Sequence, residues 1–349
     1  VLILRPIAEH DLDALVDLAR QLDSLNLPSD PEFLEQRIAI SLRSFAAAQP
    51  GAATRSRRDT DWRTGIYVFA LEDTEARRCV GTSTIVAKHG RPGAPYFWLA
   101  VTTEERRSAE LDRRFVHTKL QMHSTEDGPT EVGGLILDPA YRRHADKCGK
   151  ALSVVRFAYI SRHPRRFERE VIAEMLSPFE ESGENLLWNA FGAKFTGLSY
   201  READRLSTRS KQFIADLFPR DPVYATLFPE AVQAVIGKTT ADAAVTILKE
   251  VGFHYLHQVD PFDGGPYYGA ARDAIASVRD RRRLVLPGLP FERIEAAQDT
   301  LALLSAEGQF GFRATVVPLD REGAPLVSKA CREALGVTAG DDVLVTPLP

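Results

Sequence analysis

The residues best placed to do chemistry lie between Asp138 and Lys150, in the segment DPAYRRHADKCGK. Arg142, Arg143, Lys147 and Lys150 bring cationic side chains to one short stretch, and Gly149 lies where a long helical pattern begins. The preceding run EVGGLIL, residues 131 to 137, reads as a central strand, so these cations occupy a loop between a strand and a helix N-terminus. Such a terminus presents unpaired backbone N–H groups and the positive end of the helix dipole, which suits phosphate. The pattern fits the pyrophosphate of coenzyme A or of a nucleotide, and it also fits a charged loop ahead of an amphipathic helix. It has too few glycines for a Walker A loop or a dinucleotide fingerprint. A second constellation is PFDGGP, residues 261 to 266. Gly264 and Gly265 open backbone conformations closed to other residues, and Pro266 fixes the exit, so the turn holds Asp263 in one geometry. An Asp-Gly hairpin turn is the plainer reading of the same residues. Glu174 in VIAEM and His254 in GFHYLH add ionisable groups at strand ends.

Positioning these groups requires a mixed α/β fold. Val1 to Pro6 reads as a strand, and a helix from Asp11 to Leu22 carries Leu12, Leu15, Leu18 and Ala19 at helical spacing. Pro28 and Pro31 interrupt the chain before a second helix with Leu34, Ile38, Leu42 and Phe45, and the small, basic segment AAAQPGAATRSRRDTD follows as a loop. Gly65 to Leu71 and Cys79 to Val86 read as a hairpin, then comes an irregular polar stretch with Trp98, Arg106 and Arg113. After the central strand and its helix, Val171 to Met175 is a strand, and a helix through Leu186 to Phe191 leads past Gly192 to a strand over Phe195 to Tyr200. Residues 201 to 237 are mostly helical, TILKEVGFHYLHQVD echoes the helix-Gly-strand arrangement of LLWNAFGAKFTGLSY, and residues 285 to 349 read as a small β-rich lobe.

Composition narrows the function. Lys plus Arg number 44 against 48 Asp plus Glu, a formal charge of -4, so nothing supports nucleic-acid binding, which draws its affinity from cations on phosphates. No apolar run is long enough for a bilayer, so no membrane role is expected. Three separated cysteines, Cys79, Cys148 and Cys331, form neither a disulfide framework nor a metal knuckle. A reducing, cytoplasmic setting and no metal site are expected.

The order of elements resembles the GNAT superfamily of acyl-CoA-dependent N-acyltransferases, whose loop Arg/Gln-x-x-Gly-x-Gly/Ala is matched by the segment ending at Gly149. His144 takes the Arg/Gln place and Lys147 the first glycine place. More specifically, the chain resembles the arginine N-succinyltransferase family over most of residues 1 to 285. ILRP, YVFALED, LILDPAYR, VIAEM, LLWNAFGAKF, FIADLFPRDPVY, AVQAVIG, VGFHY and PFDGGP carry the likeness in order. The resemblance implies a largely antiparallel sheet flanked by helices, divided into a GNAT-like core over 1 to 200, a helical and helix-strand unit over 201 to 284 that completes the acceptor site, and the lobe over 285 to 349.

It also implies transfer of succinyl from succinyl-CoA, as cosubstrate with no permanently bound cofactor, to the α-amino group of arginine. The alternatives are ornithine or another amino acid as acceptor, or a non-catalytic partner subunit. Assembly as a homo-oligomer, or with a paralogous subunit, is compatible with either. The family's succinyl-CoA contact falls on Leu135, with Ile136 and Leu137 beside it and Arg142, Arg143, Lys147, Gly149 and Lys150 along the phosphate loop. Its proton-donor histidine falls on Thr240, which cannot titrate near neutral pH. Glu174 is therefore a candidate base or a partner for the substrate's cation, His254 and His257 are candidate replacements for the histidine, and Asp263 is a candidate partner for a guanidinium. Trp188 stands where relatives in the superfamily place a tyrosine, and Cys148 is assigned no nucleophilic role.

Overall fold

In the computed structural model, residues 1–20, 29–49, 61–207, 210–286 and 296–349 are described. Strand β1 (Leu2–Pro6) leads into helix α1 (Leu12–Arg20), and α2 (Pro31–Ala48) follows. The start of α2 is set locally: the Asp30 carboxylate accepts the Glu32 N–H at 3.0 Å, and Pro31 fills the first helical position. The expected end of α1 near Leu22, the break at Pro28 and most of the small basic loop lie outside the described residues. Strands β2 (Ile66–Asp73) and β3 (Arg78–Val86) form the expected hairpin.

Residues 96 to 125 correct the sequence reading. They form a long hairpin, β4 (Tyr96–Ser108) and β5 (Arg113–Thr125), paired from Tyr96↔Thr125 to Ser108↔Arg113. Its outer half is largely exposed on both faces, so Glu104 to Arg107 and Arg113 to Phe115 show no apolar alternation to mark a strand. Then come β6 (Thr130–Leu137), α3 (Cys148–Arg162) and β7 (Glu170–Glu174), as expected.

A second correction follows α4 (Leu186–Ala190). The segment expected as a strand joins two helices instead: α5 (Gly192–Thr196) ends at Gly197, whose φ is +67°, and α6 (Tyr200–Ser207) begins three residues on. The cause is a capping box. The Ser199 N–H donates to Glu202 Oε2 at 2.9 Å, and the Glu202 N–H donates back to Ser199 Oγ at 3.4 Å. Helices α7 (Gln212–Leu217), α8 (Glu230–Val235) and α9 (Asp242–Glu250) alternate with the short strand β8 (Val223–Tyr224), and β9 (His254–Val259) and β10 (Pro266–Ala271) follow. Helix α9 does run through Gly252 into β9, but the earlier segment runs from helix into helix, so the two are not a repeat.

Helix α10 (Ala276–Arg279) and β11 (Arg282–Val285) precede the C-terminal strands β12 (Ala296–Gly308), β13 (Gly311–Asp320) and β14 (Asp342–Pro347), with α11 (Lys329–Leu335) between the last two. Among the described residues, fourteen strands join one sheet, β11-β14-β12-β13-β1-β2-β3-β6-β7-β10-β9-β4-β5-β8. The C-terminal strands continue the sheet through the β1–β13 pair at Leu4↔Ala314. Every pairing among the described residues is antiparallel except β6 with β7. One face of the sheet is covered by α1 and the first half of α2, around Leu15, Leu34, Ile38 and Ile136, while the end of α2, at Phe45 and Ala48, joins the core of the other face. The other receives α3, which is buried all round from Ala151 to Ser161, with Tyr159 packed against Phe45, Tyr67 and Phe69. Burying large apolar side chains of this kind stabilises the fold by about 1.5–3 kcal/mol each.

Candidate active site

The lone parallel pair defines the site. β6 and β7 are joined only at Thr130↔Val171 and Glu131↔Ile172. Beyond that point both strands continue, but each pairs outward: Ile136 and Leu137 with Thr82 and Gly81 of β3, Ala173 and Glu174 with Tyr268 and Tyr267 of β10. The two strands thus open a wedge in the sheet. At its apex β6 is bulged, since its register passes from Thr84↔Gly133 to Thr82↔Ile136 and sets two residues, Gly134 and Leu135, against Ser83. Gly134 has φ +56°, and a Cβ there would stand 2.7 Å from Thr84 Oγ1, so the bulge requires glycine. A bulge leaves the extra residue out of the ladder, which frees backbone polar groups for another partner. Leu135 is half-buried against the α3 core, whereas the side chains of Ile136 and Leu137 are buried as ordinary core.

Beyond the wedge, the loop before α3 is pinned by Asp138, which accepts the Ala140 N–H at 2.9 Å and Arg78 at 3.0 Å, and by the Tyr141 hydroxyl, which donates to Asp73 at 2.6 Å. Lys147 is left-handed, with φ 50° and ψ 48°, immediately ahead of α3. This is a backbone shape that glycine adopts freely and that costs other residues roughly 1–2 kcal/mol. The loop therefore keeps a glycine-like turn although lysine occupies the position. Nothing stands within 4 Å of where a Gly149 Cβ would be, so open space adjoins the helix start. Arg142, Arg143 and Lys147 are exposed around it. Lys150 is not with them: its Nζ donates to Glu250 of α9 at 3.1 Å and to the Pro349 carbonyl oxygen. Burial pushes the Cys148 thiol up to about 11, a value for an inert side chain.

On the β7 side, Glu174 lies at the strand end beside Asp260, which the sequence reading missed, and Tyr267, to which it gave no role. The Tyr267 hydroxyl is 3.1 Å from Glu174 Oε2 and 3.2 Å from Asp260 Oδ2. Burial, then the charges of Asp260, Glu131 and Asp263, lift the Glu174 carboxyl well above its usual range, and burial raises Asp260 as well. Glu131 goes the other way. Burial would raise it, but His89 at 2.6 Å, with Lys211 and Arg37, outweighs that and keeps it ionised.

Asp263 does not face this group. Its Oδ1 accepts the Gly265 N–H at 2.7 Å and its Oδ2 the Ser177 N–H at 3.1 Å, so the carboxylate is the brace of the turn, and the carboxylates at the wedge are Glu174 and Asp260. The signal for Asp260 was present in the sequence: an Asp followed by Pro-Phe-Asp starts the turn, and its Oδ1 accepts the Phe262 and Asp263 N–H groups. Thr240 is exposed in the turn before α9. That turn is held to the end of β7, because Thr239 Oγ1 donates to Leu176 O at 2.6 Å and the Gly237 N–H to Gly264 O at 2.9 Å. His254 is exposed on β9, opposite Gly269, which itself faces Ile172, so it stands two strands from β7 and apart from Glu174. His257, also exposed, has φ +56°. Trp188 is wholly buried and donates from Nε1 to Leu198 O at 2.9 Å.

Among the described residues no helix is long and apolar enough to cross a membrane. The family described as arginine N-succinyltransferase beta subunit matches residues 2–277. Relatives named arginine N-succinyltransferase are similar along nearly their whole length. That of Yersinia pseudotuberculosis is 33% identical over 356 residues, covering 99% of this chain and 97% of its own. That of Citrobacter koseri is 30% identical over 355 residues, covering 100% and 98%. Arginine/ornithine succinyltransferase subunit AI from Pseudomonas aeruginosa is a structural neighbour with a TM-score of 0.79 and 28% identity, covering 100% of this chain and 99% of that one. The protein is an acyltransferase in class. It belongs to the arginine N-succinyltransferase family.

Proposed function

We propose that this protein transfers the succinyl group of succinyl-CoA to the α-amino group of L-arginine, giving N2-succinylarginine and CoA, within the wedge between β6 and β7. The observation that carries this is the arrest of β6–β7 pairing after Glu131↔Ile172, with a backbone bulge on one side and Glu174 on the other. The coenzyme pyrophosphate rests on the Lys147–Gly149 turn at the start of α3, with Arg142 and Arg143 beside it. The pantetheine follows the gap, and the thioester carbonyl takes N–H donation from the bulge at Leu135. Arginine approaches from the Glu174 side, where Glu131, Glu174 and Asp260 supply negative potential for its guanidinium.

Glu174 takes a proton from the α-ammonium. Its raised proton affinity suits a base working nearer neutral pH than an exposed carboxylate does. The freed amine attacks the thioester carbon, the oxyanion is met by the bulge N–H groups, and collapse breaks the C–S bond and expels the CoA thiolate, which takes up the second proton that the now-acylated nitrogen releases. Thr240, next to the Thr239 that anchors its turn to Leu176, is the candidate to relay that proton through water; His254 has no part. Residues 1–200 carry the wedge, 201–284 add Asp260 and Tyr267, and 285–349 extend the sheet. Free Cys79, Cys148 and Cys331 support a cytoplasmic setting, and the subunit nature of the Pseudomonas neighbour supports assembly with a like or paralogous chain.

The test is thiol release from succinyl-CoA with arginine, with ornithine and with no amine. Release that depends on arginine, with a product heavier by one succinyl group, is expected. Coenzyme binding without release for any amine would instead mark a non-catalytic partner subunit.

A further inference from the structure

Helix α3 buries a cation that meets no anion among the described residues. Arg156 is 3% exposed. Its Nε donates to Ser153 O at 3.1 Å, its Nη2 to Ser153 Oγ at 2.8 Å and its Nη1 to Gly133 O at 3.4 Å, all neutral acceptors. No carboxylate among the described residues acts on it, and burial alone brings its pKa down to about 9. The buried Arg5, by contrast, meets both Asp11 and Glu72. Proteins pair or neutralise buried charges because an isolated one is expensive to desolvate, so Arg156 lacks a partner that something else must bring.

Its position says what that is. Gly133 follows the last stretch of β6 joined to β7 and immediately precedes the Gly134–Leu135 bulge. The guanidinium is thus held against β6 where the wedge opens. Each terminal nitrogen carries a second hydrogen beyond the bond it makes, and together they match the two oxygens of a carboxylate. In a succinyl thioester only two methylenes separate the reacting carbonyl from the free carboxylate. A carbonyl seated at the Leu135 bulge therefore has its anionic end within the neighbourhood of Gly133.

We propose that Arg156 binds the free carboxylate of the acyl group and makes the enzyme selective for dicarboxylic acyl donors over neutral ones. This rests on the reading that the acyl donor occupies the wedge. Wild-type enzyme should favour succinyl-CoA over butyryl-CoA, which has a methyl group in place of the carboxylate, by at least about 100-fold in kcat/KM, as a site built for a polar group rejects an analogue lacking it. Arg156→Met should lose at least about 100-fold with succinyl-CoA while changing butyryl-CoA less than about threefold, and Arg156→Lys should recover part of the selectivity. A wild type indifferent to the two donors, or a variant in which both fall together, overturns the assignment. Calorimetric binding of succinyl-CoA and butyryl-CoA without acceptor reads the same preference independently of turnover. A binding preference without thiol release would sink the transfer reading and keep Arg156, and equal binding would sink Arg156 alone.

Discussion

Tyr267 faces Glu174 across the β7–β10 ladder, and its one hydroxyl stands within 3.2 Å of both the Glu174 and the Asp260 carboxylates. A phenol has a single proton to give. It can satisfy one carboxylate at a time, so the other keeps a proton of its own or requires a cation nearby. Lys211 supplies part of that charge, and on the proposed reading the α-ammonium of arginine supplies the rest. Binding of the acceptor then draws the pair toward ionisation, which readies Glu174 as a base at the moment its substrate is present.

Glu174→Gln keeps the shape of the site and removes the base. We expect kcat/KM to fall by about 10²–10⁴, the range general bases contribute, with little change in KM for succinyl-CoA. Because the Glu174 carboxyl is held above its ordinary range, the wild-type rate should climb with pH through that raised value as the base is freed. The residual activity of the variant should lack this limb. An unaltered pH–rate profile would remove Glu174 from the chemistry.

Tyr267→Phe deletes the shared donor. The pair loses a hydrogen bond that favours its charged form, so the acid limb of the pH–rate profile should move to higher pH. The lost hydrogen bond should destabilise the fold by about 1 kcal/mol, readable in a denaturant titration. A limb that stays in place would mean that the hydroxyl does not govern the pair.

The strand-loop-helix proposed to take the coenzyme was legible in the sequence because it is local. EVGGLIL and the cations before Cys148 sit within about two dozen residues, and a strand-loop-helix is read from contiguous periodicity. Lys150 escaped because its partners, Glu250 and Pro349, are distant in the chain. The carboxylate cluster proposed for the acceptor is assembled across β7, β9 and β10, and no spacing rule brings Asp260 and Tyr267 to Glu174. Asp263 attracted attention because its glycines were conspicuous, yet those glycines mark a turn whose carboxylate is spent on its own backbone. The β4–β5 hairpin was hidden by exposure on both faces, and the turn at 197–199 between α5 and α6 by the aromatic residues around it, which read as a strand although Ser199 and Glu202 spell a capping box.

Two glycines should answer differently to alanine. At Gly134 a methyl group would meet Thr84 Oγ1 at 2.7 Å in a left-handed backbone, so Gly134→Ala should cost at least about 1–2 kcal/mol and lower kcat by reshaping the bulge. At Gly149 the space is open, so Gly149→Ala should fold normally. If the pyrophosphate occupies that space, the KM for succinyl-CoA should rise with kcat nearly unchanged. Unchanged coenzyme affinity in Gly149→Ala would place the phosphates elsewhere.

Stability should fall as pH rises, the reverse of the usual behaviour of paired carboxylates. Burial, followed by the charge of Asp260, raises Asp263 to about 8, and burial raises Asp204 to about 6, both from 3.8. In the folded chain these groups hold their protons more tightly than in the unfolded one. Their contribution is therefore fully present below the unfolded value and is lost as pH climbs through the folded values. Thermal melts taken between about pH 5 and pH 8 should show a midpoint that drops across the window, since the groups held low, such as Asp11 and Glu131, are already ionised there. Asp263→Asn retains an oxygen for the Gly265 N–H and cannot titrate, so its melting curve should be flatter over the same window. L-arginine, which on the proposed reading binds the ionised form of Glu174 and Asp260, should raise the midpoint more at the upper end than at the lower. A stabilisation by arginine that is greatest at pH 5 would contradict that coupling.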